Sequence, residues 1–212
     1  MEGHAGTPAI TVRGIATIRT EPDEAVLMLT LNALKDSPGA ALSEVAARSN
    51  ALAGLLDELG VAKTDRTTTG IMVEEEWDHT DKGRRSLGHR ATSRLSVRLA
   101  DPELIGRLVT KATSDLAAAV HGPNWVISLD NPVRLEAARL AAADARRRAE
   151  AYAEGIGARL GRLIGLREPG TREPHVQMPM RAMAGFGSSM HVEPGEHEIG
   201  AMIDATFTLE FD

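Results

Sequence analysis

The stretch from residue 25 to residue 60 reads AVLMLTLNALKDSPGAALSEVAARSNALAGLLDELG, and it contains both element types of the fold. Residues 25–34 carry apolar and β-prone side chains at odd and even positions, which predicts a strand largely buried on both faces. Ser37 then precedes Pro38, and the pair predicts a helix start, because serine caps free amides while proline needs no amide partner there. Helical spacing of the apolar residues continues to Gly60, which suits the left-handed conformation at a helix end.

The same signals recur along the rest of the chain. Asp101-Pro102 and Asn131-Pro132 predict two further helices, the last running from Pro132 to about Gly155. This third helix is rich in alanine, which permits a close approach to a sheet. Strands are predicted at 10–20, 25–34, 67–77, 91–99, 125–129, 160–166 and 199–211. The element order ββα-ββα-βα-ββ therefore predicts an α+β fold in which antiparallel sheets pack with three helices.

Three local features refine this interpretation. Gly14 interrupts the alternation of the first strand and predicts a bend or bulge there. The polar stretch 78–89 is expected to join the third and fourth strands. We interpret residues 1–212 as a single unit of two intertwined halves, approximately 9–60 plus the closing strands and 61–130, with an irregular loop over 168–197.

Composition excludes several functional classes. The net charge of −6 lacks the basic footprint of a nucleic-acid-binding protein. The absence of cysteine excludes disulfides, thiolate metal sites and cysteine nucleophiles. No stretch reaches the roughly 18 apolar residues of a membrane span. The first eight residues show no export signal, so a cytoplasmic location without membrane or nucleic-acid partners is expected.

The loop after the last predicted helix concentrates potential soft metal ligands. These residues are His175, Met178, Met180, Met183, Met190 and His191. Thioether and imidazole groups suit Cu(I), so a copper-binding or oxidant-responsive loop is one hypothesis. Methionines in a glycine-rich loop also provide an adaptable contact surface for a neighbouring subunit, and the composition favours this second interpretation.

Other charged or glycine-rich segments indicate no catalytic site. The hairpin formed by the third and fourth predicted strands carries potential cation ligands at Glu74, Glu75, Glu76, Asp78, His79 and Asp81. Neighbouring strand residues face opposite sides, which favours a solvated hairpin over a converged cation site.

The arginines of 146–148 point in different directions around the helix, which favours solvation of the helix surface. The alternative is a contact with an anion or an acidic partner. Gly155, Gly157 and Gly161 follow a helix instead of preceding one, which argues against a dinucleotide site. No nucleophile elbow or zinc-binding histidine pair is present, so we expect no enzymatic activity and no cofactor.

Several short motifs occur in a consistent order over nearly the whole chain. They are Val12-Arg13-Gly14, Glu21-Pro22-Asp23-Glu24-Ala25, Gly88-His89-Arg90-Ala91, Gly122-Pro123-Asn124, Ala145-Arg146-Arg147-Arg148-Ala149-Glu150, Leu160-Gly161 and Val192-Glu193-Pro194-Gly195-Glu196. Together they resemble the SIMPL-domain family, which includes kinase-associated signalling proteins and bacterial periplasmic proteins linked to oxidative-stress defence. His89 stands where the family usually has tyrosine.

The resemblance implies an α+β fold with helices on antiparallel sheets, and some relatives assemble into large rings or channel-like oligomers. It implies no established reaction. We therefore expect a non-enzymatic, self-associating scaffold or interaction protein, with a possible protein partner and a possible link to stress. The alternative is a metal- or oxidant-responsive binding protein that uses the loop of His175, Met178, Met180, Met183, Met190 and His191.

Overall fold

The chain was analysed as a computed structural model, which describes residues 7–80, 83–169 and 195–211. The strands are β1 Ala9–Thr20, β2 Glu24–Lys35, β3 Arg66–Thr80, β4 Gly83–Leu99, β5 Ala119–Val126, β6 Ala158–Arg167 and β7 His197–Phe211. The helices are α1 Pro38–Glu58, α2 Pro102–Leu116 and α3 Pro132–Gly155, with a short 3-10 turn at Lys63–Asp65. The order of these elements confirms the predicted ββα-ββα-βα-ββ arrangement and the α+β class.

Each α-helix begins at its predicted residue, with the side chain before proline as the cap. The Oγ atom of Ser37 accepts a hydrogen bond from the Ala40 amide at 3.3 Å. The carboxylate of Asp101 accepts one from Glu103 at 2.9 Å, and the amide oxygen of Asn131 accepts one from Val133 at 3.0 Å. These bonds satisfy amides that have no partner within the helix.

The described residues form two compact units. Asp23–Val126 belongs to one unit, and the segments before and after it belong to the other. The sequence predicts halves that meet near residue 60, whereas these units are divided at 22/23 and 126/127. They are named here the four-stranded unit (β2 to β5 with α1 and α2) and the three-stranded unit (β1, β6, β7 and α3).

The four-stranded unit has the element order βαββαβ. Its strands pair antiparallel in the order β3-β4-β2-β5, the arrangement of the split βαβ or ferredoxin-like motif. One face of the sheet and the two helices form the core, whose fully buried large side chains include Leu27, Leu29, Leu31, Leu52, Leu56, Ile105 and Leu108. The side chains on the other face of β2 are only half-buried. The prediction that both faces are largely buried is therefore correct for one face and overestimates the burial of the other.

The three-stranded unit packs a single helix on a sheet of order β1-β7-β6. Every fourth residue of α3 is an alanine no more than 1% exposed: Ala137, Ala141, Ala145, Ala149 and Ala153. This row of small side chains allows α3 to lie very close to the sheet, as the alanine content predicts. Ala145 and Ala149 pack with Val12, Ala205 and Phe207 in the core of this unit.

Three local predictions are corrected by the structure. β1 and β7 pair without a register shift from Ala9 to Thr20, so Gly14 marks no bulge. Most of the polar stretch 78–89 belongs to β3 and β4, because these strands continue to Thr80 and from Gly83. The strand predicted at 125–129 is β5 at 119–126, which begins before the motif Gly122-Pro123-Asn124 and includes it.

Candidate interaction surface

The outermost strand of the four-stranded sheet exposes three consecutive apolar residues. β3 is the first strand in the order β3-β4-β2-β5, and among the described strands it has a neighbour, β4, on one side only. Ile71, Met72 and Val73 are 65%, 44% and 39% exposed. These residues are named here the apolar triplet. Isolated exposed apolar residues are common, but a consecutive run on an outer strand is typical of an association surface.

Strand register places the triplet on both faces of the sheet. Ile71 and Val73 lie opposite Ser93 and Ala91 of β4, which in turn lie opposite the buried Leu31 and Ala33 of β2. Ile71 and Val73 therefore share the face that carries the helices. Met72 lies opposite Thr92 on the other face. A partner along this edge would consequently meet apolar groups on both faces.

Beyond the triplet, β3 and β4 continue as a two-stranded ribbon. The last residue of β2, Lys35, pairs with His89, so among the described strands the residues of β4 before His89 pair only with β3. Near the ribbon tip, the guanidinium of Arg84 lies 4.5 Å from the centre of the Trp77 ring. Such a cation–π contact supports a ribbon that has no third strand.

The acidic run that follows the triplet is engaged in the same ribbon. Glu76 accepts hydrogen bonds from two nitrogens of Arg90, one of them at 2.8 Å. Glu75 accepts one from the Ser86 hydroxyl at 2.7 Å. The hydrogen bond from Arg90 holds the pKa of Glu76 below its ordinary value and raises the pKa of Arg90. These contacts join β3 and β4 in the ribbon. Two of the carboxylates that the sequence indicates as potential cation ligands, Glu75 and Glu76, therefore accept hydrogen bonds from side chains of β4.

The three-stranded unit carries its own charge networks. Asp204 on β7 accepts hydrogen bonds from Arg13 of β1 at 2.7 Å and from Arg167 of β6 at 3.2 Å. These bonds lower the pKa of Asp204, with the one from Arg13 as the largest cause. The carboxylate therefore links all three strands of the sheet.

Asp144 on α3 serves a second network in this unit. It accepts hydrogen bonds from the backbone amide of Ile15 at 3.0 Å and from Arg148 at 2.8 Å. The bond from the Ile15 amide is the largest cause of its lowered pKa. Arg147 also binds Asp144, whereas Arg146 binds Glu150. The three arginines of 146–148 thus form ion pairs with acidic residues of α3 itself.

A shallow cavity of about 350 Å³ lies beside α1 and the end of α2 in the four-stranded unit. Its polar lining includes Arg48, Ser114 and Asp115. Arg48 binds Glu44 and the carbonyl of Asn32, and the Ser114 hydroxyl donates to the carbonyl of Thr110. The Ser114 hydroxyl also contacts the carboxylate of Asp115 at 3.1 Å. These bonds join residues of the helices and the adjacent strand.

The methionine and histidine residues predicted as soft metal ligands lie in a part of the chain that the structure does not describe. His175, Met178, Met180, Met183, Met190 and His191 all lie outside the described residues. Copper binding by this loop stays a prediction, and Cu(I) titration against a variant with Met178, Met180 and Met183 replaced by Leu tests it. In the described part of the hairpin, as in the other described residues, no three histidine or acidic side chains converge on a common point.

Sequence reasoning identified β3 as a strand but missed its role as an outer strand. The available signal was the run Ile71-Met72-Val73, which is apolar on both faces and precedes three glutamates. A central strand and an outer strand can carry the same run, so the pattern alone does not distinguish them. In the helices that the structure describes, none combines the length and the apolar character needed to cross a bilayer.

Comparisons with known proteins give a family match over nearly the whole chain. A family model described as SIMPL, a protein of unknown function (DUF541), matches residues 10–207. The chain is 24% identical over 161 residues to an "Uncharacterized protein YggE" from Edwardsiella ictaluri (strain 93-146), covering 76% of this chain and 67% of that protein. Among solved structures it is similar to the de novo designed protein Foldit4, with 14% identity over 46% of this chain and 91% of that one. The TM-score of 0.25 is too low to support any argument.

Proposed function

The chain belongs to the SIMPL family of proteins of unknown function, and from that premise we propose that it is a non-enzymatic scaffold that self-associates. The observation that supports this proposal is the apolar triplet on the outer strand β3. Burial of Ile71, 65% exposed, and of Met72 and Val73 beside it, would be favourable in an assembly. Lysine or proline commonly protects exposed outer strands, and the triplet contains neither.

Two further observations support a role in assembly over one in catalysis. The cavity beside α1 and α2 is shallow, and Arg48 and Ser114 in its lining are bonded within the fold. The lowered pKa values of Asp144 and Asp204 arise from hydrogen bonds that join neighbouring elements of the fold. Shifts of this kind are explained by structural ion pairs and need no catalytic role.

Light scattering coupled to gel filtration tests the proposal on the full chain. The wild-type protein is expected to elute as an assembly at micromolar concentration and to dissociate on dilution. Ile71→Lys combined with Val73→Lys is expected to weaken assembly at least about tenfold, because charges would have to be buried at the contact. A strictly monomeric wild-type protein at all concentrations would contradict self-association.

Matched controls use exposed leucines on the three-stranded unit. Leu129 and Leu135 are 81% and 64% exposed, so Leu129→Lys with Leu135→Lys adds the same charge away from β3. This variant is expected to assemble as the wild type does. Equal loss of assembly in both double variants would point to net charge as the cause instead of the β3 surface.

A stress-related role is the finer part of the proposal, and the resemblance to stress-linked relatives is its support. Cells that lack the protein are expected to lose viability in oxidant, and the Ile71→Lys, Val73→Lys variant is expected not to restore it. Restoration by this variant would separate any stress role from assembly.

A further inference from the structure

Three of the four outer strands in the described sheets are blocked against addition of another strand. On β1, the amide of Ile15 is occupied by the carboxylate of Asp144 from α3. On β5, Pro123 removes an amide, and the register shifts beside it between Val26 and Met28 of β2. On β6, the register with β7 shifts twice between Leu160 and Gly165. Prolines, bulges and covering groups are the usual protections of sheet edges.

β3 is the fourth outer strand, and the residues that the structure describes give its central part no such protection. Its register with β4 shifts only between Thr68 and Gly70 and between Glu76 and Trp77. Between these shifts, Gly70–Glu76 runs as a regular strand without proline or lysine, and it contains the apolar triplet. Within the described part of the chain, the unpaired backbone edge of β3 and its exposed apolar side chains therefore coincide in one short segment.

This segment is complementary to a second copy of itself. We propose that β3 pairs antiparallel with β3 of a second copy, in a register centred on Met72, to join two four-stranded sheets into one. In this register Met72 lies opposite the second copy's own Met72. Ile71 and Val73 lie opposite each other twice, once on each side of the two-fold axis. All these pairs are apolar, and directly opposed apolar side chains stabilise antiparallel strands.

Charge selects the antiparallel arrangement over a parallel one. Glu74 of each copy lies opposite the uncharged Gly70, and the two Glu74 residues are four positions apart along the strands. At about 3.4 Å per residue their separation is about 13 Å, which exceeds the screening length of about 8 Å at physiological ionic strength. Parallel pairing in register would instead place Glu74, Glu75 and Glu76 beside their copies, where like charges repel.

The inference rests on the proposed self-association and adds its contact and its register. A second copy is the occupant because, in the register centred on Met72, each apolar residue of the triplet lies opposite an apolar residue of the other copy. An extended peptide of another protein is the alternative occupant of the same edge, and it would leave the purified chain monomeric. The self-paired contact is also closed, because a two-fold axis uses the β3 edge of both copies.

Cysteine cross-linking of the full chain tests the register directly, since the chain contains no native cysteine. Paired positions in an antiparallel ladder lie about 4.5–5.5 Å apart between Cα atoms, within the range that a disulfide spans. Met72→Cys is therefore expected to form covalent dimers with mild oxidant. Thr67→Cys is the control: it is exposed on the same strand and the same face, but lies about 27 Å from its copy in this register, because four positions of the ladder separate it from Met72.

Non-reducing electrophoresis should show at least tenfold faster cross-linking of Met72→Cys than of Thr67→Cys. In a mixture, Ile71→Cys chains and Val73→Cys chains are expected to cross-link to each other, which keeps the test valid if Met72→Cys disturbs assembly. Equal rates for Met72→Cys and Thr67→Cys would overturn the register. An assembled wild type without cross-linking of any β3 pair would overturn the inference and leave the proposed function standing. A monomeric wild type would overturn both.

Discussion

Gly14 lies where α3 crosses β1 in the three-stranded unit. A β-carbon at this position would overlap the carbonyl oxygen of Ala141 and would lie 2.6 Å from the amide nitrogen of Ala145. The glycine is therefore required for the close approach of helix and strand. The sequence predicts a bulge at Gly14, but β1 pairs regularly with β7 there, and Gly14 is instead the position at which β1 contacts α3.

Replacement of Gly14 by alanine should destabilise the protein by about 3 kcal/mol, because backbone atoms of α3 must move to admit the methyl group. Urea unfolding monitored by circular dichroism measures this change. The control is Gly54→Ala on the exposed side of α1, where the added β-carbon would meet no described atom within 4 Å beyond its chain neighbours and the adjacent helix backbone. That change should stabilise the protein by about 1 kcal/mol, since alanine is the better helix former. Similar effects of both substitutions would contradict the role assigned to Gly14.

Asp204 should make stability depend on pH in the acid range. Its pKa in the folded protein is lower than the ordinary value of 3.8, owing to hydrogen bonds from Arg13 and Arg167. The unfolded chain therefore binds a proton more readily, and acidification favours unfolding. The contribution of Asp204 is fully present above its ordinary pKa and is lost as pH falls through its folded pKa.

We therefore expect the Asp204→Asn variant to lose less stability than the wild type between pH 5 and pH 2. Thermal unfolding midpoints across this range measure the difference. Arg13→Gln should show the same shallower decline, because it removes the main donor that lowers the pKa of Asp204. A slope equal to that of the wild type in both variants would show that this carboxylate is not linked to folding.

At the scale of the element, α3 depends on one row of alanines. Residues four apart on a helix form a ridge inclined to its axis, and a ridge of small residues fits closely against a twisted sheet. The buried alanines of α3 follow this spacing throughout the helix. The other side of the helix carries arginines paired with acidic residues, including Arg146 with Glu150.

Ala145→Leu should destabilise the protein by about 1–3 kcal/mol, because Ala145 is fully buried and also touches the position of Gly14. The matched control is Ala143→Leu, two residues away on the exposed side of α3. This change should alter stability by no more than about 0.5 kcal/mol. Denaturant midpoints of the two variants, measured side by side, decide the prediction. A tolerated leucine at 145 would mean that α3 can move away from β1.

At the scale of the whole molecule, the described residues of the four-stranded unit form one continuous segment. Its βαββαβ order is complete within Asp23–Val126, and all residues of its main core cluster lie inside these limits. The three-stranded unit is discontinuous, because β1 comes from the start of the described chain and its other elements from the second half. The two units consequently differ in how much of the chain each needs in order to fold.

A fragment of residues 23–126 is expected to fold on its own and to unfold cooperatively in urea. Far-ultraviolet circular dichroism and amide hydrogen exchange measure this behaviour. Ile105→Ala in the fragment should lower stability by about 2–5 kcal/mol if the native core has formed, since Ile105 is fully buried. A fragment without a cooperative transition would show that the four-stranded unit depends on the rest of the chain.

The sequence by itself determined the order of the elements, the start of each α-helix and the family. These features depend on neighbouring residues: a cap such as Ser37 acts on an amide three positions away, and apolar spacing reports the local period. Gly60 likewise takes the left-handed conformation, with φ of +77°, as its place after the first helix predicts. The alanines of α3 also predicted its close packing.

Only the tertiary structure decided what Gly14 and the apolar triplet do. Gly14 acts through α3, more than a hundred residues away, and local alternation could not distinguish that contact from a bulge. The triplet was visible as part of a strand, but its exposure depends on the position of β3 at the edge of the sheet. Sheet order is set by pairing between distant strands, and among the described strands β3 pairs with β4 alone. The exposure of the residues proposed to bind a second copy therefore depends on the tertiary structure.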